Sequence, residues 1–234
     1  MPDSSDPSSP AASRVLLLLI RHAEQETMLE LDPPLSARGL EQAERLGARL
    51  AHLPITAVVS SPLLRAQQTA APTAAALGLE VVVHPDLDEI RMQADAMRDK
   101  FAKTSARHME PDPDDYVRTA MAAVRVVPRF VWAEDGSTES GAELRQRATT
   151  ALEEVVAAHP GEVVACVAHG GFINAALGPW LGITKDMWFV PWHTGVSTVM
   201  VTGDDKVVLG INDASHLAPD EDVLSVVSST LGPR

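Results

Sequence analysis

Cysteine is almost missing from this chain: its 234 residues include one, Cys166, so no intramolecular disulfide can form. Cys166 stands in the apolar run EVVACVA, where a small buried hydrophobe is expected rather than a reactive thiol. Such sparing use fits a reducing compartment, and the cytoplasm is the expected location. Long apolar runs are missing as well. The run Val15 to Ile20 stops after six residues at Arg21, and the stretch before it lacks the basic start of a secretion signal. Neither a leader peptide nor a membrane-spanning helix is expected. Positive charge is scarce: 19 Lys and Arg face 32 Asp and Glu, a net charge of −13. That balance argues against nucleic acid and membrane as partners, because their phosphates would be repelled. An anionic substrate must then be drawn in by a local cationic site.

What is present describes a globular chain, nearly half apolar and long enough for a full core. Residues 1–13, rich in Ser, Pro and Asp, read as a disordered tail, and 14–234 as a single domain. Val15 to Ile20 reads as a strand covered on both faces. PLSARGLEQAERLGARLAHL reads as a helix capped by Ser36, with Leu40, Ala43, Leu46 and Leu50 on its buried stripe. ITAVVSSP is a short strand and PLLRAQQTAAPTAAAL a helix that Pro72 should kink or divide. LEVVVHP is a third strand. The clearest helix follows Ser140, which with Glu143 forms a capping box. EVVACVAHGG is another buried strand, FINAALGPWLG a short helix, and VSTVMV with KVVLGIND a closing pair of strands. Strands alternate with helices, which predicts an α/β fold: a three-layer α/β/α sandwich on a mainly parallel sheet, with one antiparallel edge strand. The strand signal fades over 91–135, which reads as a helical cap insertion carrying four of the eight methionines.

Ligands of open α/β sheets bind beyond the carboxyl ends of the strands. Here those ends carry Arg21-His22, Ser60-Ser61 with Arg65 one turn later, and His169-Gly170-Gly171, while Glu89 follows the third strand. Two guanidinium forks can grip phosphate oxygens in bidentate fashion. A neutral imidazole in one tautomer is a nucleophile toward phosphorus, and a second can donate to the phosphoryl oxygens. Gly170 and Gly171 let helix-start N–H groups approach an anion. A carboxylate can protonate the leaving oxygen and then activate water. Each residue alone has a bland explanation, as a cap, a core histidine or a solvated charge. Five of them at one end of one sheet are harder to explain so.

At these residues the sequence resembles the histidine phosphatase superfamily, the group that includes the cofactor-dependent phosphoglycerate mutases. LLIRHAE is similar to its Arg-His-Gly opening, SSPLLRAQQTA to its Ser-x-x-x-Arg-Ala-x-Gln-Thr-Ala segment, and VACVAHGG to its His-Gly-Gly signature. PLSARGLEQA resembles a further family segment, and the likeness covers about 14–90 and 137–215. The resemblance implies a phosphohistidine mechanism without metal or cofactor. His22 would be the nucleophile and Glu89 the acid/base. Arg21, Arg65 and His169, with Gly170, would hold the phosphoryl group.

Three departures mark the chain. Ala23 replaces the usual Gly and adds a methyl beside the nucleophile; Met28 stands where many relatives have Asn; and IRMQADAM replaces the Trp-Glu-Gly segment after the acid/base. The last favours a phosphatase over a mutase. The segment 91–130 holds eight basic and six acidic residues, so it is either a substrate-contacting cap or a set of solvated helix faces. His193 is expected to have a structural role and His216 no chemistry. Trp180, Trp188 and Trp192 are either core or the face of a homodimer or substrate surface. The expected partner is a small-molecule phosphate ester and the expected enzyme a phosphoric monoester hydrolase. The rivals are a mutase, a metallohydrolase, for which no His-Glu-x-x-His spacing exists, and a non-catalytic phospho-ligand module.

Overall fold

The computed structural model describes residues 14–27, 30–91 and 138–217, and among them six strands and four α-helices follow one another. The expected tail, Met28 and the cap insertion beyond Arg91 lie outside the described residues. The elements are β1 (Arg14–Arg21), α1 (Ala37–Leu50), β2 (Ala57–Ser60), α2 (Leu64–Leu77), β3 (Val81–Val83), α3 (Gly141–Ala158), β4 (Val163–Ala168), α4 (Gly170–Trp180), β5 (Val196–Thr202) and β6 (Asp205–Asp213). The sheet order is β3-β2-β4-β1-β5-β6. The β2–β3, β2–β4 and β1–β4 pairs are parallel, while β5 runs against β1 and returns through a hairpin to β6. The one antiparallel strand is thus β5, one place in from the edge.

Why three layers form is visible in the alternation along β1. Leu17 and Leu19 join a core with Leu144, Leu152, Phe172 and Ile173 from α3 and α4. Leu18 and Ile20 point the other way, to Leu46 and Leu50 of α1 and Ala66 and Ala70 of α2. Each fully buried leucine contributes about 1.5–3 kcal/mol, so a continuous apolar run is what a strand covered on both faces requires. Cys166 lies in the first core, and burial alone pushes its thiol up to about 12. It is an inert core residue. Trp192 packs with Ala214 and Leu217, and Trp180 and Trp188 lie against the main core.

Both expected caps are present. Ser36 accepts from the Gly39 N–H, and Ser140 and Glu143 bond reciprocally at the start of α3. Of the two outcomes expected at Pro72, division does not occur: α2 continues to Leu77. Pro72 sits where the two helices meet, and a Cβ on Gly47 of α1 would come within 3.0 Å of it. The expected burial of Leu40 fails: it is 49% exposed. The face of α1 that turns inward is set by Gly39 and Gln42, which approach the loop after β1. A Cβ on Gly39 would lie 1.9 Å from the Glu24 carbonyl oxygen, so helix and loop touch backbone to backbone.

This contact makes a prediction. Gly39→Ala must push α1 away from the Glu24 loop, at about 1–3 kcal/mol for an overpacked site, or roughly 2–12 °C in thermal midpoint for a chain of this size. Leu40→Ala on the exposed side of the same helix should change little. Equal midpoints for the two variants, measured by calorimetry, would contradict the packing described.

Candidate active site

Strand register brings the site together. Arg21 pairs with Ala168, and the His22 N–H donates to the Ala168 carbonyl at 2.9 Å, so His22 and His169 emerge side by side from β1 and β4. The Ser61 N–H donates to the Val167 carbonyl, also at 2.9 Å, and sets Ser61 next to His169 on the far side. By alternation both imidazoles fall on the α2 face, where the first turn of α2 supplies Arg65.

Arg65 is buried and bridges the two rings. Its Nε–H donates to His22 Nε2 at 3.4 Å and its NH2 group to His169 Nδ1 at 3.3 Å. A guanidinium has donors only, so each of those ring nitrogens presents a lone pair. The opposite nitrogens agree. His22 Nδ1 lies 2.7 Å from the Ala23 carbonyl and must donate to it; His169 Nε2 lies 2.7 Å from Ser61 Oγ and donates there. Both imidazoles are therefore neutral, in fixed and opposite tautomers. Burial, first, holds both well below the usual histidine range; the His169 ring and the Arg21 and Arg65 charges add to this at His22, and Arg65 and Arg21 at His169. Burial also lowers Arg65, but Glu89, Asp32 and Asp88 oppose that with their negative charge. Its NH1 group donates to the Leu31 carbonyl at 3.0 Å and lies 3.8 Å from Asp32.

Arg21 points to the other face. Its NH1 group donates to the Pro191 carbonyl at 2.7 Å, and a Cβ on Gly170 would sit 3.7 Å from its Nε. Glu89 reaches the same helix start: its Oε2 accepts from the Gly171 N–H and its Oε1 from the Phe172 N–H, each at 3.1 Å. The expectation that the Gly171 N–H is open to an anion is thus corrected, because Glu89 already occupies it. All five expected side chains stand around the ends of β1 and β4 and the first turn of α4. Among the described residues no group of three or more His, Cys, Asp and Glu side chains is arranged to hold a metal ion.

Several residues that hold this arrangement were not expected. The Ala23 N–H donates to Thr69 Oγ1 at 2.9 Å, and that hydroxyl donates to the Arg65 carbonyl at 2.7 Å, which ties the loop that carries His22 to the turn that carries Arg65. Gln42 accepts from the Glu24 N–H, the Ser36 N–H donates to the Glu24 carbonyl, and Gln68 accepts from the Leu35 N–H. Ser36, Gln42, Gln68 and Thr69 of the PLSARGLEQA and RAQQTA stretches therefore build the loop, and of these stretches it is Arg65 that bonds the two imidazoles. Their signal was in the motifs. Ala23 itself is fully buried in a small cluster with Leu35 and Ala43, so its methyl is spent on packing. His193 Nδ1 donates to the His22 carbonyl at 3.1 Å, its ring 5.7 Å from that of His22. His216 contacts Thr194 Oγ1 at 2.8 Å.

Residues 17–214 match the family model of the histidine phosphatase superfamily, branch 1. Phosphoserine phosphatase 1 of Hydrogenobacter thermophilus is 30% identical over 213 residues, 87% of this chain and 94% of that one. Phosphoglycerate mutase-like protein 4 of Arabidopsis thaliana is 33% identical over 211 residues, 86% of each. The structure of a phosphoserine phosphatase from Entamoeba histolytica, a mutant solved with phosphoserine, superposes with a TM-score of 0.64 at 22% identity, over 87% of this chain and 99% of that one. A mycobacterial glucosyl-3-phosphoglycerate phosphatase gives 0.61 at 23%, over 86% and 99%. No helix among the described residues is long and apolar enough to cross a membrane. By the match over most of its length and by these relatives, the chain belongs to the histidine phosphatase superfamily, branch 1.

Proposed function

We propose that this protein is a metal-independent phosphomonoesterase that hydrolyses a small phosphorylated metabolite through a phosphohistidine at His22, in the cytoplasm. The observation that carries the reading is the His22 tautomer. Its Nδ1–H is committed to the Ala23 carbonyl, so the Nε2 lone pair faces the guanidinium of Arg65. A phosphoryl group held by Arg65 is thereby presented to a nucleophile that carries no proton to lose.

The steps balance. His22 Nε2 attacks phosphorus, an N–P bond forms, and the ester P–O bond breaks. Glu89 gives its proton to the leaving oxygen. The resulting carboxylate then takes a proton from water, whose oxygen attacks phosphorus and releases inorganic phosphate and free His22. Arg21, Arg65, His169 and the Gly170 N–H stabilise the oxygens through which charge moves. The net charge of −13 leaves substrate capture to these local cations. Relatives named as phosphoserine phosphatases support hydrolysis. Relatives named as mutases support the second reading, in which the phosphoryl group returns to an isomer of the product.

Two predictions test this. His22→Ala should reduce phosphate release from an ester panel by at least roughly a thousandfold, a fraction of the 10⁶-fold or more that enzymes supply. Phosphate release that survives the substitution would refute the nucleophile, and recovery of an isomeric phosphate ester in place of inorganic phosphate would move the chain to the mutases. The second prediction concerns protons. His169 is held below the usual range by burial and by the Arg65 and Arg21 charges, so it is neutral in the free enzyme. A dianion between those guanidinium groups offsets their field, raises the imidazole, and draws a proton onto Nδ1. Titration calorimetry with sulfate at about pH 6.5, the ordinary histidine value, in buffers of differing ionisation enthalpy, should show net proton uptake that His169→Asn abolishes. Sulfate binding without uptake would contradict the assigned role.

A further inference from the structure

One buried guanidinium plays no part in the steps above. Arg147 lies two turns into α3, with its side chain 9% exposed, and it pairs with Glu139, 8% exposed, just ahead of that helix. All five of its N–H donors are used. Nε donates to Glu139 Oε1 at 2.7 Å and NH2 to Glu139 Oε2 at 2.6 Å. The other three go to main-chain carbonyls: NH1 to Asp86 at 2.9 Å and Asp88 at 2.8 Å, and NH2 to Glu89 at 3.1 Å. Glu139 Oε2 also accepts from the Arg91 N–H at 3.2 Å. The backbone on both sides of Glu89 is therefore folded around one ion pair on α3.

The pair is suited to that task. Residues 88–91 lie in no helix or strand, so their path is set by side-chain bonds rather than by a ladder. The capping box fixes the start of α3 at Ser140, beside Glu139. From its pinned backbone Glu89 extends to the Gly171 and Phe172 N–H groups. Arginine alone can hold three carbonyls and one carboxylate at once, since lysine has three donors on a single point. We propose that Arg147, braced by Glu139, is a positioning residue that aims the Glu89 carboxyl at the leaving oxygen. This rests on the phosphomonoesterase reading and names what its acid/base depends on. General acid catalysis contributes about 10²–10⁴-fold, and a misplacement near 1 Å costs about 10².

The test is the dependence of kcat/KM on leaving-group acidity, over substituted phenyl phosphates from dinitrophenyl to phenyl, with an alkyl phosphate added. Wild type is compared with Glu89→Gln, Arg147→Lys and the neutral double variant Arg147→Gln/Glu139→Gln, which leaves no unpaired buried charge if the lysine variant does not fold. Losing the acid matters most for poor leaving groups, so Glu89→Gln should steepen the dependence. The Arg147 variants should steepen it too, with phenyl phosphate falling roughly tenfold to a hundredfold relative to dinitrophenyl phosphate. A merely structural Arg147 would lower every ester by the same factor, and parallel lines for the folded Arg147 variants beside a steepened Glu89→Gln overturn the positioning proposal alone. An unchanged slope in Glu89→Gln removes the acid/base reading and this proposal with it.

Discussion

A single buried cation organises this site. Arg65 is held away from water at the end of an apolar sheet, and a desolvated guanidinium must find acceptors for its donors. It finds them in His22 Nε2, His169 Nδ1 and the Leu31 carbonyl. Since it can only donate, it dictates the tautomer of both imidazoles, and its charge helps to keep them neutral. The cationic field of Arg65 therefore also keeps both imidazoles unprotonated. Without Arg65 the two ring nitrogens that accept from it, His22 Nε2 and His169 Nδ1, would lose their donor.

The rest of the structure serves that juxtaposition. Parallel pairing of β1 with β4 and of β4 with β2 sets His22, His169 and Ser61 in a row. Thr69 ties the turn of α2 that carries Arg65 to the loop that carries His22. Gln42, Ser36 and the missing Cβ of Gly39 bring α1 onto the same loop. Across the sheet a second buried cation, Arg147, does for the Glu89 segment what strand pairing does for the histidines. Arg147 is tolerated inside the protein because all five of its N–H donors have partners, while each nitrogen of Arg65 bonds one acceptor, two of them the imidazoles.

The parts legible in the sequence were those with a period or a short-range signature. Continuous apolar runs gave the strands covered on two faces, and Ser36 and Ser140 gave helix starts, because caps act within three residues. Arg21, His22, Arg65, His169 and Glu89 stood out because charged and imidazole groups at the ends of apolar strands need an explanation. Ala23 was misleading: its added methyl turns into a pocket formed by Leu35 and Ala43, which only the folded loop reveals. Leu40 was misread for a related reason, and at Pro72 the undivided helix was one of two outcomes left open. Whether a helical leucine is buried, or a helical proline tolerated, is settled by the neighbouring element, here the Glu24 loop and Gly47. The bond from Arg147 to the Glu89 carbonyl spans 58 positions and goes to main chain, so no local pattern announces it.

The account stands most directly on which nitrogen of which histidine carries the phosphoryl group. Quenching the enzyme in base during turnover, then locating the modification by peptide mapping and phosphorus NMR, decides it. The account predicts an acid-labile, base-stable phosphoryl group on His22, bonded through Nε2. A phosphoryl group on Nδ1, on His169 or His193, or turnover with no phosphoenzyme at all, would contradict it.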